Sequence, residues 1–236
     1  PGTAQPPAVV LQEGYTPTAM SAPSTDIYLA TLSSGSEATN VSNVVNITDR
    51  DGYDNQPAFG PRGETLLYSS ARNRMQTDIY RHNIRVQTTR QVTQTVSSEF
   101  SARPLPSGEG FSSIHESAAA QQLWRFQNDG TSRGSILGDI QPVGYYVWAD
   151  ENMVVMFVLG RNGTPATLQV GDLRTGEVKI LAENPGRSLH KVPGHHAVSF
   201  VRKTDQDNWW IDVYDIDTGE FTRLLSTLPT REDYAW

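Results

Sequence analysis

Residues 130–134, GTSRG, match a pattern that some hydrolases use for their nucleophile. In the pattern Gly-x-Ser-x-Gly, the serine is held on a strained turn between a strand and a helix. Residues 130–134 align instead with 174–177 (RTGE) and 217–220 (DTGE), which are typical of hairpin turns. A hairpin turn does not present a serine in this way, so the sequence predicts no catalytic nucleophile here.

Three of the five histidines, His190, His195 and His196, lie close together in the sequence and could bind a metal or transfer protons. One short strand and its turn cannot easily direct three imidazoles at one ion. Pairing with carboxylates from neighbouring elements is the favoured interpretation, and no metal is predicted.

Residues 49–54, DRDGYD, carry three carboxylates that could hold calcium. Their spacing differs from that of the twelve-residue calcium loop. Asp-Gly is also common in turns that need a positive φ angle. A solvated turn is therefore favoured over a metal site.

The composition excludes several classes of partner. The net charge is −7, and the Lys and Arg residues are scattered singly, whereas nucleic acids and anionic membranes require clustered positive charge. No run of 18 apolar residues exists, so no membrane insertion is expected. The absence of cysteine excludes disulfides and thiolate chemistry.

A short strand pattern recurs along the chain at a nearly constant spacing. It centres on Ile27, Ile79, Leu123, Leu168 and Val213. The last four lie 44, 45 and 45 residues apart, and the first spacing is 52. Around each centre come three further runs rich in β-branched and aromatic residues, separated by turns. This period predicts a repeat protein made of four-stranded units.

Four antiparallel strands per repeat are typical of a propeller blade, because one small sheet cannot bury both of its faces alone. Whole blades are predicted at about residues 55–93, 100–138, 145–182 and 189–226. A fifth blade would combine strands from both ends of the chain, near residues 9–11, 27–29, 45–47 and 234–236.

The predicted fold is therefore an all-β, five-bladed β-propeller of four-stranded blades, closed by pairing of the N- and C-terminal strands. Residues 1–24 form a Pro-rich segment that contributes one strand near residues 9–11, and residues 25–236 form the propeller.

Residues 53–84, YDNQPAFGPRGETLLYSSARNRMQTDIYRHNI, resemble the repeat of TolB-like propellers. That repeat has an Asp or Pro before a small–aromatic–small strand, a Pro-x-Gly turn, an aliphatic strand, a Ser-rich bend and an Ile-Tyr strand. Here these features are Pro57, Phe59, residues 61–63, residues 66–70 and residues 79–80. Later repeats diverge from this pattern.

The resemblance implies a propeller that is often exported in bacteria and that frequently binds other proteins. It brings no catalytic residue with it. The family usually has six blades, which is the alternative to five. A periplasmic or extracellular location is expected, and the Pro-rich start is typical of a processed chain end.

In a propeller, the loops that lead into the first strand of each blade converge on one mouth of the central channel. Residues at these positions form the predicted binding site. They are Tyr53, Asp54, Glu99, Phe100, Tyr145, Arg187, His190, Arg231, Glu232 and Asp233. Aromatic rings and charges of both signs suit a peptide or a sugar.

The sequence contains no coherent catalytic set, so we expect a non-enzymatic scaffold that binds a protein or peptide at this mouth. The alternative is a carbohydrate-binding or carbohydrate-active propeller, such as a glycoside hydrolase or lyase. In that case two carboxylates among Asp54, Glu99, Glu232 and Asp233 would face each other across the channel. No cofactor is predicted.

Overall fold

A computed structural model describes residues 24–34, 39–72, 76–205 and 208–236. Within these residues the chain forms eighteen strands and no helix, so the predicted all-β class is confirmed. No helix in this part of the chain is long and apolar enough to cross a membrane.

Sixteen strands form four antiparallel sheets, which we call blades 1 to 4. Blade 1 consists of β3 (Tyr53–Phe59), β4 (Thr65–Ala71), β5 (Asp78–Asn83) and β6 (Thr88–Gln91). Blade 2 consists of β7 (Ser98–Pro104), β8 (Phe111–Glu116), β9 (Gln121–Phe126) and β10 (Ser132–Ser135). Blade 3 consists of β11 (Val143–Trp148), β12 (Met153–Val158), β13 (Thr167–Asp172) and β14 (Val178–Glu183). Blade 4 consists of β15 (Pro185–Lys191), β16 (Ala197–Lys203), β17 (Trp209–Asp215) and β18 (Phe221–Ser226).

The second strand of each blade is buried on both faces. In β4 the five residues 66–70 are all buried, and in β16 the same is true of residues 197–201. The fourth strands β6 and β18 are exposed along their whole length. This gradient arises because neighbouring blades cover the inner strands on both sides and leave the outermost strand in water.

The hydrophobic clusters lie between blades. One cluster joins Ile114 and Leu123 of blade 2 to Val143, Tyr146 and Met156 of blade 3. A second cluster joins blades 3 and 4, and a third joins blades 1 and 2. Burial of apolar surface between successive blades, rather than inside any one sheet, therefore holds the repeats together.

The N-terminal hairpin consists of β1 (Tyr28–Ser34) and β2 (Thr39–Asn46), which pair antiparallel. It rests on blade 1, where Ile27 packs against Tyr68 and Tyr80. Thr25 forms a parallel bridge with Tyr53. The hairpin therefore lies next to blade 1, with two of the four strands that a whole blade contains.

Residues 227–236 form no strand, although a first strand was predicted at 234–236. They still lie against blade 4, where Tyr234 Oη and Trp236 Nε1 each donate to Ser199 Oγ at 2.8 Å. The described residues contain no pairing between this segment and the N-terminal hairpin. The strand predicted near residues 9–11, which would lie between them, is outside the described residues. The described residues thus contain four complete blades.

Candidate functional site at the channel mouth

Strands β3, β7, β11 and β15 are the first strands of their blades, and each follows a connection from the preceding blade or the N-terminal hairpin. We call the end of the propeller where these four strands begin the channel mouth. Tyr53 of blade 1 and Arg187 of blade 4 are each near enough to Tyr145 of blade 3 for an electrostatic effect on their pKa values. Burial raises the pKa of Tyr53, and the nearby Tyr145 raises it further. The pKa of Arg187 is raised mainly by its hydrogen bond to Asp233, and Tyr145 adds a smaller effect. Side chains from three blades therefore influence one another at this mouth.

Tyr145 is held in place by its own blade. Its ring meets the ring of Phe157 edge-on, with the centroids 5.7 Å apart. Phe157 lies directly opposite Tyr145 on the neighbouring strand β12. Such a cross-strand aromatic pair restricts the tyrosine and presents a rigid surface at the mouth.

An ion network lies beside the tyrosines. Arg187 Nη2 lies 2.9 Å from Asp233 Oδ2, and Arg187 Nε lies 3.5 Å from Glu232 Oε1. Lys203 Nζ lies 2.9 Å from Glu232 Oε2. The side chains of Arg187 and Asp233 are 50% and 73% exposed, so both remain accessible to a partner. Lys203 was not predicted, because its position on a second strand gives no sign of proximity to the C-terminal segment.

Asp54 and Glu99 were predicted at the rim, but both are buried, with 1% and 0% exposure. Arg50 Nε lies 2.9 Å from Asp54 Oδ2. Glu99 Oε1 lies 3.0 Å from His115 Nδ1 and accepts a hydrogen bond from Thr95 Oγ1 at 2.6 Å. Burial raises the pKa of Glu99. These two carboxylates are therefore buried in contact with residues of their own repeats.

The remaining predicted residues occupy different environments. His190 packs edge-on against Tyr234, with ring centroids 4.7 Å apart, and burial lowers the pKa of His190. Burial raises the pKa of Tyr234 to about 12. Phe100 packs against the core between blades 2 and 3, and Arg231 is exposed.

The other candidate motifs serve structural purposes. Ser132 begins the exposed strand β10, and no helix follows it, as the hairpin interpretation predicts. His196 Nε2 lies 2.8 Å from Asp150 Oδ2 of blade 3, and its Nδ1 lies 2.7 Å from Asp217 Oδ1 of blade 4. The predicted pairing of a histidine with a carboxylate from a neighbouring blade is confirmed for His196. In the part of the chain that the structure describes, no three His, Asp or Glu side chains are arranged so that they could hold a metal ion.

Comparison with known proteins identifies solved structures that have a similar fold. No protein-family model matches the sequence, and no curated protein is detectably similar to it. Among solved structures, TolB from Acinetobacter baumannii is 18% identical with a TM-score of 0.65; the match covers 87% of this chain and 52% of that chain. This chain thus spans about half the length of that protein.

Two further structures are similar. The putative TolB from Agrobacterium tumefaciens is 15% identical with a TM-score of 0.60, and the match covers 86% of this chain and 78% of that one. A puromycin-hydrolyzing peptidase from Mycobacterium tuberculosis is 13% identical with a TM-score of 0.58, and the match covers 78% of this chain and 30% of that one. As the resemblance of residues 53–84 predicted, the chain has the fold of the TolB-like β-propellers.

Proposed function

We propose that this chain is a propeller scaffold that binds a protein or peptide partner at the channel mouth. The proposal is supported by an exposed ion pair, Arg187 with Asp233, and by the rigid Tyr145–Phe157 pair of blade 3, whose tyrosine influences both Arg187 and Tyr53 of blade 1 electrostatically. Asp233 adds an exposed negative charge beside Arg187. A site assembled from separate repeats presents one continuous surface, as extended partners require.

The chemistry of this surface suits a polypeptide. Tyrosine provides large contact area with little loss of conformational freedom, and tyrosine and arginine are enriched among residues that dominate binding energy. Exposed charges of both signs would select the charge pattern of the partner and accelerate its association.

The same geometry argues against glycoside hydrolysis, which needs two accessible carboxylates. Asp54 and Glu99 are buried, and Glu232 already pairs with Arg187 and Lys203. Binding to a panel of oligosaccharides, measured by the shift in melting temperature, would revive the carbohydrate alternative if one glycan stabilised the protein.

The proposal is tested by selecting peptides from a display library on the purified protein and measuring their dissociation constants. We expect Tyr145→Ala and Arg187→Glu each to weaken the selected peptides at least tenfold, or about 1.4 kcal/mol. Lys179→Ala, an exposed change on the outer strand β14, serves as the control and should leave affinity unchanged. Peptides that bind all variants equally would place the binding surface elsewhere.

We further propose that the ring closes as five blades. The N-terminal hairpin exposes Leu32, Val41 and Val44 by 60–68%, and Trp236 is 56% exposed. A composite blade would cover this apolar surface, which is costly to leave in water.

Closure can be measured with spin labels, because the chain has no cysteine of its own. Labels on cysteines placed at Val45 and Ala235 would be separated by about 15 Å in one blade, the width of three interstrand spacings. A distance distribution centred beyond about 30 Å would contradict closure, since first and fourth strands of one sheet cannot lie so far apart.

An exported location, periplasmic or extracellular, is the compartment that we propose from the fold likeness. Fractionation of cells from the native source, with detection by an antibody against the chain, would test this proposal. Recovery in the cytoplasmic fraction alone would contradict it.

A further inference from the structure

A second candidate site lies between blades 2 and 3, at the end of the molecule opposite to the channel mouth. It is a cleft of about 500 Å³. Its polar lining includes Arg125, Arg133, Ser107, Ser135 and Asn152. Ser107 and Asn152 belong to the turns after the first strands of blades 2 and 3, so both blades build the cleft. This volume falls within the range of small-molecule sites.

Arg125 lies in this cleft without a partner. Among the residues that the structure describes, none forms a hydrogen bond or ion pair with its guanidinium, and its Nε atom is completely buried. Its cross-strand neighbour on β10 is Gly134, and no atom lies within 4 Å of the place where a Cβ would be at that glycine. A buried donor left unpaired is costly, so its presence needs an explanation.

The equivalent arginine one blade earlier shows what is missing. Arg81 of blade 1 lies 44 residues before Arg125 and donates from Nη1 and Nη2 to the backbone and side-chain oxygens of Asn128, at 3.1 and 3.2 Å. Asn128 lies in the third-to-fourth-strand turn of blade 2. The equivalent turn position in blade 3, 45 residues later, is Leu173, which lines the same cleft as Arg125. An apolar side chain thus stands where Arg81 of the preceding blade has its side-chain acceptor.

A second cation lies next to Arg125. Arg133 also lines the cleft, and Gln127, with its amide oxygen turned toward Arg133, accepts from its Nε at 2.7 Å. One acid, Glu151, is present, but it lies beyond ion-pair distance of both arginines. Within this cleft two guanidinium groups face one carboxylate, while Glu109 and Asp129 line the adjoining cleft that shares both arginines, and Asp129 interacts with Arg133.

We propose that this cleft binds a small oxyanion, a phosphate or carboxylate group of a small molecule, with Arg125 as its principal ligand. The planar guanidinium matches such groups by two parallel hydrogen bonds, which are among the stronger hydrogen bonds in proteins. The anion supplies the acceptor that Asn128 supplies to Arg81. Arg133 adds charge, and the Ser107 and Ser135 hydroxyls add neutral donors.

The test is calorimetric titration of the complete chain with inorganic phosphate and, separately, with acetate, at constant ionic strength maintained with chloride. We expect at least one of the two ions to bind, and the stronger one identifies the type of oxyanion. Arg125→Gln should weaken that binding at least tenfold. Arg81→Gln is the matched control, because it removes an equivalent arginine that already has its acceptor, and it should leave affinity within twofold of the original.

Leu173→Asn tests the explanation itself. It places in blade 3 the asparagine that, in blade 2, satisfies Arg81 of blade 1, so Arg125 should gain an internal acceptor and anion binding should weaken severalfold. This result does not depend on removing a charge. The proposal is overturned if neither ion binds, if Arg125→Gln binds as the original does, if Arg81→Gln weakens binding equally, or if Leu173→Asn leaves affinity unchanged.

Discussion

Two segments of this protein share a Tyr-x-Trp sequence and make related hydrogen bonds, yet their tryptophan side chains differ in burial. In blade 3, Trp148 Nε1 donates to Ser112 Oγ at 2.9 Å, and Tyr146 Oη donates to the Ser112 backbone carbonyl at 2.8 Å. Near the C-terminus, the residues equivalent to Tyr146 and Trp148 donate to Ser199 Oγ. The two serines are 87 residues apart, which is two repeats.

The difference between them is burial. Tyr146 and Trp148 are 1% and 6% exposed, because β11 continues into a four-stranded blade that covers them. Trp236 is 56% exposed. The hydrogen bonds to the serine thus form where the Tyr-x-Trp segment lies beside a second strand, β8 or β16, whereas the burial of the tryptophan ring depends on the further strands around it. Similar contacts should therefore contribute very differently to stability.

The largest expected difference in stability is between the variants Trp148→Ala and Trp236→Ala. Trp148→Ala should lower the free energy of unfolding by about 3–5 kcal/mol, because it leaves a cavity between blades 2 and 3. Trp236→Ala should cost about 1 kcal/mol or less, as is usual for an exposed side chain. Denaturant unfolding of both variants measures the difference. If Trp236→Ala were as costly as Trp148→Ala, the C-terminal segment would have to be covered in solution, as ring closure requires.

A smaller effect is expected from the two serines. Ser112→Ala leaves the buried indole N–H of Trp148 without an acceptor, which should cost about 1–3 kcal/mol. Ser199→Ala should cost less, since Trp236 can donate to water instead. Ser112→Thr and Ser199→Thr keep the hydroxyl and serve as controls. Equal losses for the two alanine variants, measured by thermal unfolding, would show that burial does not separate these contacts.

The smallest effect is expected from His196, which pairs with Asp150 of blade 3 and Asp217 of blade 4. Hydrogen bonding to Asp217, and then to Asp150, raises the pKa of His196. A raised pKa of a histidine means stabilisation that is complete below its unfolded value, about 6.5, and is lost as pH rises through the folded value. His196 is one-third exposed, so solvent limits the gain to about 1 kcal/mol.

We therefore expect the melting temperature of His196→Gln to fall below that of the original protein at pH 5.5 and to approach it by pH 9. The same pair of melting curves at high salt should show a reduced difference at pH 5.5, because salt screens exposed charges. A difference that does not depend on pH would mean that His196 acts through packing rather than through charge.

The sequence by itself determined the repeat. Ile79, Leu123, Leu168 and Val213 recur at a period that accommodates four short strands, and each lies in the third strand of a blade as predicted. The β-branched and aromatic runs, and the turns rich in glycine, are local signals. Local signals can be read from the chain because they depend on residues a few positions apart.

Only the tertiary structure decided which polar side chains are buried within their own repeat, which are exposed, and which meet a neighbouring blade. Asp54 and Glu99 lie near the start of their first strands as Arg187 does, yet they are buried against Arg50 and His115 of their own repeats. Arg81 and Arg125 occupy the same place in the repeat, yet only Arg81 meets an acceptor. The difference between the two arginines depends on residues about 45 positions away, on the adjacent blade, and the packing of two blades brings such residues together.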